Sequence, residues 1–479
     1  MKILFAASEA MPFVKTGGLA DVAYALPHEL SKHEDIEVCV FLPYYKRIKE
    51  NTSLNIEFVT SFVVPLSWRM SHCGIFKTTV DNGRLTYYFT DNEYYFKRDG
   101  LYGHLDDGER YAFFCKAILE SLQYIGFYPD VIHCNDWQTG YIPLLLKASY
   151  SHMELYQHMR TIFTIHNIEY QGKAGCDFLK DVLGLSDEWH DVAYQNDCLN
   201  AMKTAIVLCD KLTTVSRTYS YEIRHAYYAH GLENILQEHA YKIEGIVNGI
   251  DTELYNPRND KYVIQHYDVG ELAKKTDNKT WLQNRLGLTV NPHVPIVAII
   301  SRLVAHKGME LIEHVSSQLT ALDIQLVILG TGDKQYEDLF HTMAYTYPDK
   351  VSANITFNAE LANQIYAGAD LFLMPSKSEP CGLSQLIAMR YGTIPIVRET
   401  GGLYDTVPAI NTETGEGRGF TFKLFNAHDM LNAVERAISY YEDKEKLRQT
   451  VTSIMDYDCS WREPVQQYIK LYNEVKSFG

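Results

Sequence analysis

The sequence predicts an α/β protein of two domains, each with a mostly parallel sheet and helices on both of its faces. Short apolar runs bounded by turn residues alternate with amphipathic helical stretches through both halves of the chain. A turn-rich segment, 248–257, interrupts this alternation. Polar residues recur where predicted strands end, and open parallel sheets bind ligands at those ends. We therefore expect the two sheets to face each other across a ligand-binding cleft.

The first half, 1–250, contains seven predicted strands. Most are short runs rich in apolar residues, and helical stretches such as 109–124 and 140–148 lie between several of them. The predicted strands are 3–7, 38–42, 86–89, 131–133, 161–165, 211–215 and 245–247.

The second half restarts the same alternation after residue 250. Its predicted strands are 297–300, 326–329, 355–357, 371–374 and 394–397. Helices are expected to begin near Met309, Lys334, Glu360 and Leu383, and further helices are expected over 430–446 and 461–475.

Composition and charge exclude several classes of partner. The formal net charge of −16, from 44 Lys and Arg against 60 Asp and Glu, argues against nucleic acid and against an anionic membrane surface. Nine cysteines occur without a C-x-x-C pair, which fits neither a zinc site nor a disulfide framework and predicts free thiols. No apolar run approaches the roughly 20 residues of a membrane-spanning helix. The composition therefore predicts a cytoplasmic protein of the size of an enzyme.

A paired-glycine loop follows the first predicted strand. Gly17 and Gly18 lie between that strand and a predicted helix, so backbone N–H groups at the helix start can bind an anion. Lys15 adds a positive charge suited to phosphate. A plain tight turn is the alternative interpretation. A second Thr-Gly-Gly-Leu-x-Asp stretch at 400–405 favours the anion site, because it suggests two similar domains that contact one ligand.

Three charged residues of the second half fit a diphosphate and a sugar. Arg302 and Lys307 span a predicted strand–loop–helix junction, where two cations can hold a diphosphate; a solvated pair is the alternative. Glu379, at a predicted helix start, could accept sugar hydroxyls or oppose positive charge on a reacting carbon. The alternative is a carboxylate favoured there by the helix dipole. Cys381 is interpreted as a packing thiol, because the sequence indicates no general base that would activate it as a nucleophile.

Polar residues at two predicted strand ends of the first half also fit a sugar. His166 could donate to a substrate hydroxyl or carbonyl, although a lone histidine is usually structural. Asp136 beside Trp137 is interpreted as a hydroxyl acceptor next to a sugar-stacking ring. The alternative for Asp136 is a helix N-cap.

The sequence lacks the motifs of several common binding sites and catalytic mechanisms. Gly330-Thr331-Gly332 begins a dinucleotide-binding fingerprint, but Gln335 occupies the third glycine position. There is no P-loop motif, no G-x-S-x-G elbow and no H-E-x-x-H motif. No acidic cluster indicates a catalytic metal, so neither a metal nor an organic cofactor is predicted.

Nine stretches together resemble the bacterial glycogen synthase and plant starch synthase family. They occur in the family's order over nearly the whole chain, which makes the match far more specific than any single motif. They are Lys-Thr-Gly-Gly-Leu (15–19), His-Cys-Asn-Asp-Trp-Gln-Thr (133–139), Thr-Ile-His-Asn-Ile-Glu-Tyr-Gln-Gly (164–172), Val-Asn-Gly-Ile-Asp (247–251), Asn-Lys-Thr-Trp-Leu-Gln (278–283), Ser-Arg-Leu-x-x-x-Lys-Gly (301–308), Pro-Ser-x-x-Glu-Pro-Cys-Gly-Leu (375–383), Thr-Gly-Gly-Leu-x-Asp-Thr-Val (400–407) and Asp-x-x-x-Trp (457–461).

This resemblance implies the GT-B glycosyltransferase fold. Two Rossmann-like domains would occupy 1–250 and 251–455, and a final helical segment, 456–479, would cross back to the first domain. The implied reaction transfers glucose from a nucleotide sugar to the non-reducing 4-hydroxyl of an α-1,4-glucan and so elongates glycogen. ADP-glucose is favoured over UDP-glucose as the donor, the anomeric configuration is retained, and no metal is needed.

The resemblance also implies roles for the residues that match the family's motifs. Arg302 and Lys307 would hold the donor phosphates, and Glu379 would lie beside the transferred glucose. His166 and Asp136 would contact the sugar and the attacking hydroxyl, which completes the expected catalytic set. The 400–402 loop would donate backbone N–H groups to the donor. The expected substrate-binding residues are Lys15, Gly17, Gly18, Asp21, Trp137, Asn167, Asn248, Phe357, Cys381, Gly382, Leu383, Thr400, Gly401 and Gly402.

Two positions refine the resemblance. A related glycosyltransferase family carries Glu-x7-Glu, but Ile387 stands at the second of these positions, and glucan synthases also lack that glutamate. Phe357 stands where bacterial members often have an aromatic residue stacked on adenine, so stacking is expected without a tyrosine hydroxyl.

Two other functions stay open. One is a GT-B transferase with a small acceptor such as a sugar phosphate. The other is a non-catalytic glucan-binding protein, which the presence of Lys15, Arg302, Lys307 and Glu379 disfavours. The sequence does not indicate an oligomeric state.

Overall fold

The computed structural model describes residues 1–80 and 83–478. The chain forms two compact units, Met1–Asn248 together with Trp461–Gly479, and Gly249–Ser460. Each unit has a large hydrophobic core of its own. No helix in the described ranges is both long and apolar enough to cross a membrane.

The first unit contains a nine-stranded sheet and a three-stranded sheet. The strands, numbered along the chain, are β1 (Lys2–Ala6), β2 (Glu37–Pro43), β3 (Glu57–Leu66), β4 (Arg69–Val80), β5 (Leu85–Asp91), β6 (Val131–Asn135), β7 (Arg160–Ile165), β8 (Lys173–Ala174), β9 (Tyr194–Gln195), β10 (Cys198–Asn200), β11 (Lys211–Thr214) and β12 (Ile243–Gly245). The large sheet has the order β12-β11-β7-β6-β1-β2-β5-β4-β3, and the small sheet has the order β8-β10-β9. Neighbours in the large sheet are parallel except for β4, which runs antiparallel to β3 and β5.

The winding of the large sheet reverses between β1 and β6. β1 pairs with β2 on one side and with β6 on the other, and later strands are added outward on both sides. Such a reversal is the topological switch point of a doubly wound sheet. A crevice opens there beyond the carboxyl ends of the two central strands, and ligands usually bind in it.

Helices connect the parallel strands of the first unit, because a parallel pair needs a long crossover connection. The helix Gly18–Ser31 follows β1 and buries Val22, Leu26 and Leu30 against the sheet. The α-helices of this unit are Gly18–Ser31, Lys46–Lys49, Glu93–Phe96, Asp107–Ile125, Ile142–Leu145, Glu154–Gln157, Phe178–Asp181, His190–Ala193, Ala201–Leu208, Arg217–Glu222, Ala226–Ala229, Glu233–Glu238 and Arg462–Lys476.

The second unit is built on one six-stranded parallel sheet. Its strands are β13 (Ile296–Ile300), β14 (Gln325–Leu329), β15 (Val351–Asn354), β16 (Leu371–Met374), β17 (Ile394–Arg398) and β18 (Phe420–Phe422). Their order is β15-β14-β13-β16-β17-β18. Counted from the unit's own first strand, this is the Rossmann order 3-2-1-4-5-6, with the switch point between β13 and β16.

Helices also separate the strands of the second unit. Its α-helices are Ala273–Arg285, Met309–His314, Ser316–Ala321, Lys334–Thr346, Ala359–Gly368, Ser384–Arg390, Gly401–Thr406, Ala427–Tyr441 and Lys444–Asp456. Together, the two units confirm the predicted α/β class with parallel sheets.

Two predicted elements of the second unit are wrong in detail. The strand predicted at 355–357 is misplaced. The observed strand β15 has already ended at Asn354, and Phe357 lies in the loop that follows it. The single helix predicted over 430–446 is interrupted. Asp443 accepts the backbone N–H of Lys446 and so starts a second helix there.

The hairpin of β3 and β4 is absent from the sequence prediction. Its turn consists of Ser67 and Trp68, whereas two-residue hairpin turns are usually recognised by Asn-Gly or Asp-Gly. Ser67 adopts the required left-handed backbone, with φ of 53°, although its side chain does not favour it. Its hydroxyl donates to the carbonyl oxygen of Lys180 at 2.9 Å, so a tertiary contact supports the turn.

The C-terminal helix Arg462–Lys476 packs on the large sheet of the first unit through a buried polar contact. The hydroxyl of Tyr472 lies 2.7 Å from Nδ1 of His133 on β6. Nε2 of His133 lies 2.6 Å from the hydroxyl of Thr164 on β7. Burial lowers the pKa of His133 to about 3, so the ring is neutral at pH 7. Both of its nitrogens are therefore satisfied inside the core.

Removing this hydroxyl should destabilise the first unit. In Tyr472→Phe, a fully buried ring nitrogen of His133 loses its partner, and we expect the free energy of unfolding to fall by about 1–3 kcal/mol. Urea unfolding followed by circular dichroism measures the change. Tyr241→Phe, at a ring that is 80% exposed, is the control and should change stability by less than about 0.5 kcal/mol. Equal effects of the two substitutions would contradict the assigned contact.

Candidate active site

The switch point of the first unit gathers most of the residues expected there. The segment after β1 carries the glycine loop, the segment after β6 carries an acidic and an aromatic residue, and the segment after β7 carries a histidine and an asparagine. In order, these residues are Lys15, Gly17, Gly18, Asp21, Asp136, Trp137, His166 and Asn167.

Lys15 is held by a carboxylate of the following helix. Its Nζ lies 2.7 Å from Oδ1 of Asp21, and the two side chains are 32% and 18% exposed. Burial raises the pKa of Asp21, and the Lys15 ammonium opposes that rise. Gly17 and Gly18 are exposed at the start of the helix Gly18–Ser31. A phosphate at this helix start would therefore compete with Asp21 for the lysine.

Glu9 is a site residue that the sequence analysis does not identify. Its carboxylate is 3% exposed and accepts the backbone N–H of Thr16 at 2.5 Å and the Thr16 hydroxyl at 2.7 Å. Glu9 thus holds the residue that precedes Gly17. Burial raises its pKa. The signal that could have found it is a lone charged residue inside the largely apolar stretch 3–14.

Asp136 orients the segment that follows β7. Its Oδ1 accepts the backbone N–H groups of His166 at 2.8 Å and of Asn167 at 3.3 Å. Its own backbone has φ of 56°, a costly conformation for a residue with a side chain. It makes no capping bond to the short helix after it, so the N-cap alternative is wrong. Burial raises the pKa of Asp136 to about 7, and the Glu9 carboxylate adds to the rise.

His166 is held by a neighbouring amide and is uncharged. Its Nε2 lies 2.8 Å from Oδ1 of Asn135, the last residue of β6. Burial lowers the pKa of His166 to about 3. A neutral imidazole has one donor and one acceptor, so the ring can hydrogen-bond sugar hydroxyls without placing a positive charge near them.

Two further residues of the first unit that are expected to contact substrate, Trp137 and Asn248, are buried. Trp137 is 8% exposed, its ring meets Tyr111 edge-on at 5.2 Å, and a Cβ at Gly172 would lie 2.2 Å from it. The indole is therefore a packing group, and the expected sugar-stacking role of Trp137 is not supported.

Asn248 is 5% exposed, and its Oδ1 has no hydrogen-bond partner among the described residues. An unpaired buried acceptor is costly, so it suits a donor group on a ligand.

The second unit repeats the arrangement at its own switch point. Lys307 follows β13, and its Nζ lies 2.6 Å from Oε2 of Glu379, which follows β16. The Ser376 hydroxyl donates to the same oxygen at 2.9 Å. The two ion-pair side chains are 19% and 8% exposed, so neither the solvated-pair nor the helix-dipole alternative accounts for them. Arg302 differs, because its guanidinium is exposed and lies 3.4 Å from Nε2 of His306.

Glycines permit the close approach of these segments. Gly308 has φ of 80°, and a Cβ there would lie 2.1 Å from the carbonyl oxygen of Pro375. Gly401 has φ of 46°, and a Cβ there would lie 2.0 Å from the carbonyl oxygen of Glu379. No larger residue fits either position without moving the backbone. Backbone packing therefore brings Lys307 and Glu379 together.

The expected role of the 400–402 loop needs correction. The N–H of Gly402 donates to the carbonyl oxygen of Glu379 at 3.1 Å, and the N–H of Thr400 donates to that of Arg398 at 2.9 Å. These two amides are used within the protein rather than offered to a donor molecule. The loop instead packs beneath Glu379 and fixes its backbone.

The Gly-x-Gly stretch after β14 also has a packing role. A Cβ at Gly330 would lie 1.9 Å from the carbonyl oxygen of Ser301, and one at Gly332 would lie 2.1 Å from that of Leu303. These glycines let the loop pack directly against the segment that carries Arg302. The stretch follows the unit's second strand, whereas a dinucleotide-binding fingerprint follows the first.

The remaining expected contacts lie in loops of the second unit. Phe357 is 79% exposed, so its ring is open for stacking. Cys381 is 5% exposed, in agreement with a packing thiol. Gly382 has φ of 72°, and Leu383 directly precedes the helix Ser384–Arg390. In the described ranges, no group of three or more His, Cys, Asp or Glu side chains is arranged to hold a metal ion.

Comparison with known proteins decides the family. A family model described as the starch synthase catalytic domain matches residues 2–238, and one described as glycosyl transferases group 1 matches residues 284–453. The chain is 49% identical over 477 residues to a glycogen synthase of Anoxybacillus flavithermus, which covers 99% of this chain and 98% of that one. The chain belongs to the glycogen and starch synthase family. A second family member, a glycogen synthase of Bacillus cereus, is 48% identical over 476 residues, 98% of this chain and 99% of that one.

Solved structures confirm the GT-B fold class for this member of the synthase family. The catalytic domain of starch synthase IV from Arabidopsis thaliana, solved with ADP and acarbose, matches with a TM-score of 0.92 at 34% identity and covers 99% of each chain. Sucrose-phosphate synthase from Thermosynechococcus elongatus matches with a TM-score of 0.63 at 17% identity over 100% of each chain, which supports the fold alone.

The raised pKa of Asp136 predicts a pH-dependent stability. The folded chain holds a proton on this carboxyl up to about pH 7, whereas the unfolded chain releases it near pH 4, so stability should fall as the pH rises between these values. Asp136→Asn keeps the Oδ1 acceptor and removes the charge. It should be more stable than the wild type at pH 8 by about 1 kcal/mol or more, and the difference should vanish near pH 4.

Urea unfolding at several pH values measures this difference. Asp35→Asn, at an exposed carboxylate, is the control and should follow the wild-type curve. Parallel pH curves for wild type and Asp136→Asn would contradict the assigned burial of the charge.

Proposed function

We propose that the chain is a glycogen synthase that transfers glucose from ADP-glucose to the non-reducing 4-hydroxyl of an α-1,4-glucan, with retention of configuration and without a metal. The observation that carries this proposal is the Lys307–Glu379 pair at a switch point, in a chain 49% identical to a glycogen synthase over nearly its whole length. The nine cysteines, all among the described residues, form no disulfide, which supports a cytoplasmic location.

An adenine-containing donor is supported by a related structure. The starch synthase IV catalytic domain was solved with ADP. The exposed ring of Phe357 offers a surface on which the base of either ADP-glucose or UDP-glucose can stack. The unpaired Oδ1 of Asn248 would accept a hydrogen bond from the bound donor. The nucleotide would thus be held by stacking and by a buried amide.

The diphosphate of the donor would be held by cations. Arg302 and Lys307 would bind it and stabilise the negative charge that develops as glucose departs. Lys15 would bind a phosphate oxygen of the donor in place of Asp21. The helix that starts at Gly18 would add N–H groups. These groups supply the charge stabilisation for which other transferases use a metal ion.

Glu379 would stabilise positive charge on the anomeric carbon rather than attack it. Its Oε2 already accepts hydrogen bonds from Lys307 and Ser376, which makes it a poorer nucleophile. The acceptor hydroxyl would then attack on the face from which the diphosphate leaves. The new bond joins O4 to C1, the bond from C1 to the phosphate oxygen breaks, and the diphosphate takes the hydroxyl proton. This route differs from the double displacement that uses a carboxylate nucleophile.

The first unit would supply the polar contacts to glucose and to the acceptor. His166 is neutral and Asp136 has a raised pKa, so both can exchange hydrogen bonds with hydroxyl groups near pH 7. Asn167 lies beside them, and its own side-chain oxygen accepts the backbone N–H of Glu169 at 3.0 Å.

A nucleotide-release assay tests the function. ADP should be released from ADP-glucose faster than UDP from UDP-glucose, the release should require a maltooligosaccharide primer, and EDTA should not abolish it. The primer should grow by single glucose units. Glucosylation of a sugar phosphate without primer would instead indicate the small-acceptor transferase. Glucan binding without any nucleotide release would indicate a non-catalytic protein.

Replacement of Lys15 tests the donor site. Lys15→Gln should raise the KM for ADP-glucose by about tenfold or more, because a charge-assisted phosphate contact is lost. Stability should change by less than about 1 kcal/mol, since the ion pair with Asp21 is partly exposed. Lys49→Gln is the control, because Lys49 forms a similar ion pair with Asp91 in the same unit. Equal KM values for ADP-glucose in the two variants would contradict the proposed binding of the donor by Lys15.

A further inference from the structure

We propose that Asn135 is a positioning residue that fixes the tautomer of His166, so that the Nδ1 atom of this ring is the hydrogen-bond acceptor offered to substrate. The inference rests on the proposed function, in which His166 contacts the substrates of a glucosyl transfer. Asn135 itself touches no substrate and acts through His166.

The orientation of the Asn135 amide is determined by its surroundings. Asn135 is fully buried, and its Nδ2 donates to the carbonyl oxygen of Ala6 on β1 at 3.0 Å and to that of His133 at 3.3 Å. Carbonyl oxygens only accept hydrogen bonds, so the NH2 end of the amide has to face them. The oxygen end of the amide therefore faces His166.

This orientation determines where the imidazole proton lies. Oδ1 of Asn135 lies 2.8 Å from Nε2 of His166. An amide oxygen has no hydrogen to donate, so Nε2 carries the proton of this bond. Burial lowers the pKa of the ring to about 3, so it holds a single proton at neutral pH. Nδ1 is then left with a lone pair, and it can accept a hydrogen bond from a sugar hydroxyl but cannot donate one.

Two consecutive residues hold His166 at two points. Asn135 binds the ring, and Oδ1 of Asp136 accepts the backbone N–H of His166 at 2.8 Å. Successive residues of a regular strand point to opposite faces. The φ of 56° at Asp136 ends the strand and brings its side chain to the same neighbour. The ring is thereby restrained at its tip and through its backbone.

A purely structural role for Asn135 would need only its Nδ2 bonds. Asn278 provides a control for that role, because it is 3% exposed and its Nδ2 also donates to two carbonyl oxygens, those of Gln265 at 2.7 Å and Lys274 at 3.1 Å. Oδ1 of Asn278 accepts the backbone N–H of Gln265 at 3.1 Å, where Oδ1 of Asn135 faces a histidine ring. Replacing each asparagine by leucine removes similar structural bonds, but only one replacement removes the acceptor of His166.

The test compares Asn135→Leu with Asn278→Leu in the full-length chain labelled with nitrogen-15 histidine. Two-bond nitrogen–hydrogen spectra at neutral pH report which ring nitrogen of each histidine is protonated. His166→Gln identifies the His166 signals by their loss. Steady-state kinetics with ADP-glucose and a maltooligosaccharide primer give kcat and KM for each variant.

We expect the wild-type His166 to be protonated on Nε2 and the Asn135→Leu variant to show a mixture of tautomers. The kcat of that variant should fall about tenfold or more, with the KM for ADP-glucose changed by less than about twofold, because a wrong tautomer impairs the reaction rather than donor binding. Asn278→Leu should keep the Nε2-protonated form of His166, and its kcat should stay within about twofold of the wild type.

Three results would overturn the assignment. They are protonation of Nδ1 in the wild type, an unchanged His166 tautomer in folded Asn135→Leu, and equal losses of kcat in the two leucine variants. The wild-type spectrum decides the question even where Asn135→Leu does not fold. A wild-type chain with the expected tautomer but without glucosyl transfer would contradict the proposed function and leave the positioning of His166 intact.

Discussion

Parallel strands that wind outward from a common centre send the segments that follow them to opposite faces of the sheet, and this constraint organises both units. The space between the two central segments stays open, because nothing in the chain path crosses it. In the first unit this space lies between the segments that carry Lys15 and Asp136. In the second unit it lies between those that carry Lys307 and Glu379. Short loops therefore suffice to bring charged side chains from distant parts of the chain to one place.

The two Thr-Gly-Gly-Leu-x-Asp stretches occupy different places in this scheme. The first follows β1, the central strand of its unit, and its extended Gly17 leads into a helix of 14 residues. The second follows β17, the fifth strand in Rossmann order, and leads into a helix of six residues. There, Gly401 needs its left-handed backbone to pack against Glu379. The prediction of two similar units is correct, but this repeat is not the reason. The counterpart of the first loop is the segment after β13.

The buried parallel strands could be predicted from sequence because both of their faces are covered. Several of them therefore appear as continuous apolar runs, as in β13 and β16. Residues directly after such strands could be identified as candidate site residues, because the end of an apolar run marks the end of the strand. Their partners could not be predicted, since the contact of Glu9 with Thr16 and that of Asn135 with His166 depend on how separate segments pack. The burial of Trp137 beneath Gly172 is likewise a property of tertiary packing.

The first unit is discontinuous in sequence, and this determines the order in which a newly made chain can fold. Residues 249–460 form a contiguous unit, and all of them are synthesised before the helix Arg462–Lys476. The unit that is synthesised first is finished last, because its contact between His133 and Tyr472 spans 339 positions. Until this helix has been synthesised, the part of the sheet that receives it has no cover. Exposed apolar surface of this kind promotes aggregation, so the first unit should need chaperones most while residues 249–460 are being made.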